Sequence, residues 1–358
     1  MPYTITLYVV AILTIVVLGA AALVILMRLV ADRRRARAER SREAMATTIA
    51  EYRVGECPLG SVVDVLRTHP GRALDALVDA SSRLTHAQRA TLLPLYEPLG
   101  FVAQEIEALS DRHWPRRMTA ASRLGTIGDR EAVLALVATL DDPLLDVRLA
   151  AAHALARLEA AEAVEPILRS LALPGELPSR LAADALLEMG DPAIASLVAF
   201  LRRSRDDTDP ACMSVAIQVL GQRKSPSAVP CLIDLLDHAS AELRLNAARA
   251  LGQIGDAHAL TPLCRSAQDP IWGVRSAAAQ ALGRIGDARA LPTLSGRLID
   301  RAWWVRYNAA QALYRLGSEG RDALLDTVAR TADRYARDIS MQVLQQNEGQ
   351  AATAGART

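Results

Sequence analysis

Lysine is almost missing from this 358-residue chain: Lys224 is the single one among 41 basic residues, and 40 carboxylates leave a formal charge of +1. A near-neutral balance gives no general field for a polyanion, so no nucleic-acid partner is expected. Arginine in place of lysine, beside so much alanine, points to GC-rich coding rather than to function. Aromatic residues are scarce at 4%, which suits helices packed on alanine and leucine. The four cysteines, Cys57, Cys212, Cys231 and Cys264, show neither metal spacing nor a CxxC pair, and read as free thiols of a reducing compartment. The six histidines, at 69, 86, 113, 153, 238 and 258, are scattered. No nucleophile lies beside a base and no glycine-rich loop cradles a phosphate. The expectation is a protein without catalysis of its own, without cofactor and without metal.

What the chain does have is a period. A shift of 31 residues, applied once or more, carries Arg244 onto Arg275, Arg306 and Arg337, Gly252 onto Gly283, and Gly255 onto Gly286 and Gly317. A fixed period of that length means one supersecondary unit stacked on itself. Each unit reads as two helices. Val305, Ala309, Ala312, Leu313 and Leu316 fall on one face of the first. Leu291, Leu294 and Leu298 mark the inner face of a second helix over Ala288–Ile299. Glycine ends the first helix because it tolerates the left-handed conformation. Glu159 and Lys224 occupy that glycine's place in the second and fourth units. The aspartate after the glycine (Asp129, Asp191, Asp256, Asp287) can cap the helix that follows.

The consensus V-R-x-x-A-A-x-A-L-G-x-I-G-D-x-x-A-x-x-x-L resembles the HEAT-like repeats, in particular the short bacterial type first associated with phycobilin lyases. The resemblance covers about Arg117 to Leu344. It implies an all-α fold, an α-solenoid of about seven 31-residue helical hairpins stabilised by nearest-neighbour interfaces. It also implies that second helices line a concave face, whose outward positions here include Asp234, His258, Arg265, Arg289 and Arg297.

Tyr3 to Met27 passes without a charge and is long enough for a bilayer core of about 30 Å. From Arg28 to Glu43, seven arginines (among them Arg28, Arg33, Arg34, Arg35 and Arg37) face three carboxylates. Charge of that sign beside a span stays in the cytoplasm, and the arginines could meet lipid headgroups. These features predict a single transmembrane helix in a bacterial inner membrane, with the N-terminus outside and the repeats in the cytoplasm. A cleaved signal peptide is the rival reading, but no basic segment precedes the apolar run. The expected divisions are an anchor at 1–30, a basic stalk and linker at 31–57, an atypical helical cap at 58–116, the solenoid at 117–345 and a disordered tail at 346–358.

Two sets of side chains stand out. Asp142, Asp269 and Asp300 each precede an arginine (Arg148, Arg275, Arg306) by six residues. Recurrence at the repeat spacing makes them a structural ladder of charge pairs and turn hydrogen bonds, not acid–base pairs. Trp272 and Trp303 are one period apart, and Trp304 stands where other units have Asp146, Glu242 and Gly273. With Arg301, and with Arg265, Arg289 and Arg297 nearby in sequence, they have the composition of a protein-binding hot spot; the alternative is that the rings only cover the turns. The functional expectation is a membrane-anchored scaffold or adaptor for a protein partner. Two further readings are an accessory subunit of an inner-membrane assembly, such as an exopolysaccharide synthase or secretion complex, and a bilin lyase-type enzyme.

Overall fold

The computed structural model describes residues 27–29, 32, 39, 41–171, 176–204 and 209–355. Every regular element among them is an α- or 3-10 helix. The chain divides into two compact units, one of residues 1–107 with 126–129, the other of 108–125 with 130–358.

The first unit departs from the expected stalk. Residues 41–53 are helical, but Met45 and Ile49, four residues apart on one face, are buried. Arg42 pairs with Asp79 on the helix Pro70–Ser82. A stalk exposed all round would bury neither, so this segment belongs to the helical unit. Gly55, at φ 82°, makes the expected break. The helices Leu59–Arg67, Pro70–Ser82 and Phe101–Ala108 follow, and the Tyr96 hydroxyl meets Ser81 in the interior at 2.9 Å.

No helix among the described residues is long and apolar enough to cross a membrane. That finding overturns the expected single-pass inner-membrane localisation. Residues 3–26, on which the expectation rested, lie outside the described residues, as do Arg33, Arg34, Arg35 and Arg37. Arg28 is exposed.

The second unit is a run of helical hairpins. In chain order they are α1 (Trp114–Ile127) with α2 (Val133–Thr139), α3 (Leu145–Arg157) with α4 (Val164–Leu171), and α5 (Glu176–Met189) with α6 (Asp191–Arg203). Then come α7 (Pro210–Gln222) with α8 (Val229–Asp234), α9 (Ala241–Ile254) with α10 (Leu260–Ser266), α11 (Trp272–Ile285) with α12 (Leu291–Arg297), and α13 (Trp303–Arg315) with α14 (Ser318–Arg330). A last helix, α15 (Arg334–Gly355), closes the series. It runs well past residue 345, where a disordered tail was expected to begin. Gln, Glu and Ala favour helix, and Gly349 alone costs only about 1 kcal/mol relative to alanine.

Val305, Ala309, Ala312 and Leu313 are fully buried, whereas Leu316 is half-buried. Leu294 and Leu298 are buried from the second helix. Burying such leucines and valines contributes roughly 1.5–3 kcal/mol each, which a lone hairpin could not realise.

A positive φ recurs where the sequence placed the glycine: Gly255 and Gly286 are left-handed, with φ of 79° and 75°, whereas Gly317 combines φ 83° with ψ −142°, a region that favours glycine still more strongly. The two units without glycine adopt it too: Glu159 and Lys224 have φ of 52° and 51°. A side chain there strains the backbone by roughly 1 kcal/mol. Glu159→Gly and Lys224→Gly are therefore each expected to raise stability by up to about 1 kcal/mol, less the extra chain entropy of glycine. A rise in the urea midpoint checks this; a fall would mean that the strain is offset locally.

Candidate functional site

The recurring turn that leads into a first helix is built by one arginine and one aspartate. In the seventh repeat, Asp300 accepts from the Ala302 amide at 2.9 Å, which fixes the turn before α13. Its two oxygens also receive the forked guanidinium of Arg275, Nε and Nη2 both at 2.8 Å. Arg275 Nη1 meanwhile donates to the Asp269 carbonyl at 2.8 Å. Each arginine thus ties its own turn to the turn of the next repeat. Arg244 does the same with Asp269, at 2.7 and 3.1 Å, and Arg117 with Asp142, at 2.6 and 3.0 Å.

The side-chain partner is therefore the arginine 25 residues earlier. The arginine six residues later takes the backbone carbonyl instead: Arg148 on Asp142 at 3.0 Å and Arg306 on Asp300 at 2.8 Å. The side chain of Asp300 is 4% exposed and that of Arg275 15%. Burial disfavours the charged form of Asp300, but the hydrogen bonds from Arg275 and the Ala302 amide, with the charges of Arg275 and Arg297, outweigh it and hold its carboxyl below the usual range.

The ladder has gaps. Met213 stands at the arginine position of the fourth repeat, and His238, 25 residues on, at the aspartate position of the fifth, where its Nδ1 accepts from the Ser240 amide at 3.0 Å. At the C-terminal end Thr331 takes the aspartate's place. Its hydroxyl accepts from the Asp333 amide at 3.2 Å, and its carbonyl accepts from Arg337 at 2.7 Å. Arg306 Nε, buried, then has no hydrogen-bond partner, although its guanidinium lies 5.2 Å from the Tyr335 ring centre. Arg148 Nε likewise has no hydrogen-bond partner among the described residues. Thr331→Asp is expected to supply the missing fork to Arg306 and to stabilise the protein by about 1.5 kcal/mol. The urea midpoint reads the gain, and no gain would mean that Arg306 is not held as its siblings are.

These turns present the tryptophans. Trp272 (51% exposed), Trp303 (44%) and Trp304 (53%) open α11 and α13, and Ile271 (45%) and Ile299 (61%) stand in the same two turns. Trp303 stacks on Tyr307 of its own helix at 5.1 Å, rather than on Trp272, and meets Trp304 edge-on at 4.7 Å. Ser276 on α11 secures this end of α13, donating to the Trp304 carbonyl at 3.4 Å and accepting from Asn308 at 2.7 Å. Residues of the same two turns line an open groove of about 420 Å³, whose wall includes Asp269, Arg275, Arg297, Ile299, Asp300 and Arg301 but none of the tryptophans.

The candidate arginines separate. Arg301 is exposed at the groove. Arg297 is turned inward, 3.6 Å from Asp300. Arg265 is exposed on the last turn of α10. Arg289 is at the other end of α12 and forks onto Asp287 at 2.7–3.1 Å, so it does not share this edge. Asp287 and Asp256 cap the turns that follow them, accepting from the Arg289 and His258 amides at 2.9 and 2.8 Å. Asp191 instead faces Arg223.

Ile271, Ile299 and Tyr307 were not singled out in the sequence, nor was Trp114, which opens α1 at 43% exposure. Trp114 holds the same repeat position as Trp272, a relation hidden by the 34-residue interval between the starts of α5 and α7. Among the described residues, no group of three or more His, Cys, Asp or Glu is placed to hold a metal ion. All four cysteines are free.

The HEAT-repeat pattern matches residues 103–178, 194–283 and 267–345. No curated protein matches the chain. Among solved structures, the complex of CpcE and CpcF of phycocyanin lyase from Nostoc sp. is 26% identical, over 42% of this chain and 98% of that one, with a TM-score of 0.34. An engineered protein is 19% identical over 86% of this chain and 94% of its own, with a TM-score of 0.39. Importin beta is 17% identical over 79% of this chain and 42% of its own, with a TM-score of 0.36. Scores this low carry no functional argument. The family pattern itself spans more than half of the chain and falls on the stacked hairpins, and so the chain belongs to the HEAT-repeat family.

Proposed function

We propose that this chain is a HEAT-repeat scaffold that binds a protein partner and performs no catalysis, with the turn edge of its sixth and seventh repeats as the contact surface. One observation carries the reading: three tryptophans and two isoleucines are exposed on consecutive turns, although the repeat can be built without them. Asp146, Glu242 and Gly273 take the place of Trp304 in other units without loss of the fold. Exposed tryptophan beside arginine is the usual anchor of a protein interface, and contiguous apolar surface of this kind marks interaction sites. The inner-membrane assembly subunit considered from the sequence falls with the localisation on which it depended.

The test is the double variant Trp303→Ala/Trp304→Ala. Partner recovery after in-cell crosslinking is expected to drop at least tenfold, while circular dichroism and the melting temperature stay close to wild type. A variant that no longer folds would show the rings to be structural and would end this reading.

A further inference from the structure

We infer that the turn edge of repeats six and seven docks an extended protein segment carrying carboxylates on either side of a bulky apolar residue. This rests on the partner-binding reading above and adds the chemistry of the partner. The apolar half of the requirement comes from Ile271, Trp272, Ile299, Trp303 and Trp304, which crowd two successive turns. The groove between those turns has room for one large side chain at about 420 Å³. Its wall includes Gly296, where an added Cβ would meet nothing within 4 Å.

The acidic half comes from how charge is distributed. Both carboxylates of the edge are committed inward, Asp269 to Arg244 and Asp300 to Arg275 and Arg297. The exposed Arg301 and Arg265 make no side-chain ion pair among the described residues. The two carboxylates in the groove wall are thus each neutralised by an arginine, which leaves Arg301 as the unpaired charge beside the aromatic faces, and a segment bearing Asp or Glu complements it. Elsewhere along the stack the equivalent position is acidic, as the exposed Asp146 and Glu242 show. Those positions repel an acidic segment and confine it to the C-terminal repeats. A nucleic acid strand could also stack on tryptophans, but two free arginines between acidic neighbours make a poor track for a phosphate backbone.

The test is selection of random 12-residue peptides displayed on phage against the full chain. Peptides with Asp or Glu flanking Leu, Phe or Trp are expected to dominate. A synthetic winner should bind less tightly as salt rises, lose about tenfold on Arg301→Glu and about thirtyfold on Trp304→Ala. Arg301 is exposed, so its variant keeps the fold, and circular dichroism confirms it. Neutral or basic winners that still depend on Trp304 would overturn this inference and leave the partner-binding edge standing. Winners indifferent to both substitutions would overturn both. An empty selection, or tighter binding of a single-stranded oligonucleotide, would also overturn the inference.

Discussion

Asp300→Ala is expected to destabilise the C-terminal repeats by about 3 kcal/mol, near the range for breaking a buried ion pair. The substitution removes three things together. The Ala302 amide loses the acceptor that shapes the turn, the Arg275 fork loses both its acceptors, and Arg297 loses its neighbour. Arg275 is only 15% exposed, so water repays little of the loss. Asp300→Asn should fall between the two, because an amide oxygen can still hold the turn while the charge is gone. Acid should bring wild type down toward Asp300→Asn, because the protonated carboxyl keeps an acceptor for the turn but loses its charge. The folded carboxyl titrates below the unfolded value of about 4. Between those two values the unfolded chain binds more protons, so the ion pair's contribution is complete above about pH 4 and is lost as pH falls through the folded value. Urea midpoints for wild type, Asp300→Asn and Asp300→Ala, taken from pH 7 downward, would read all three effects. Equal midpoints at neutral pH would remove the ladder from the account of the fold.

Gly283→Ala and Gly296→Ala should change stability in opposite directions. A Cβ on Gly283 would lie 2.6 Å from both Cα and Cβ of Ala312, so α11 and α13 could not keep their spacing. Overpacking of a helix contact costs about 1–3 kcal/mol. Gly252 meets Ala281 in the same way one repeat earlier. Gly296, within α12, has open space around it, and alanine there should gain up to about 1 kcal/mol of helix propensity. Midpoints that move together would contradict the close contact of first helices.

The sequence made the architecture legible because period and conformation coincide. Every positive-φ residue that follows a first helix occupies one register position, so Glu159 and Lys224 could be placed there without a neighbour in view. The ladder was legible only in part. Asp300 recurs with Arg306 six residues on and with Arg275 twenty-five residues back, and both spacings repeat at the same period. Only packing decides that the earlier arginine reaches the carboxylate while the later one reaches the carbonyl. Gly252 and Gly283 were visible as a repeat, but the reason for them lies in Ala281 and Ala312 of the next unit. The tryptophans were legible through substitution against Asp146 and Glu242. Ile271 and Ile299 were not, since isolated apolar residues in a turn show no periodic signal. Residues 41–53 read as part of a stalk because the run from Ala31 to Tyr52 has no helix breaker and is rich in alanine, arginine and glutamate, although Met45 and Ile49 are spaced for a buried face.

The proposal that the turn edge is the partner surface meets its most direct test in site-specific photocrosslinking inside the cell. One benzophenone amino acid would replace Ile299 in the groove, and another would replace Leu134, which is 84% exposed on α2 at the far end of the repeats. A discrete protein adduct from position 299, absent from position 134 and abolished by Trp304→Ala, is the predicted result. An adduct from position 134 alone, or one from position 299 that survives Trp304→Ala, would contradict it.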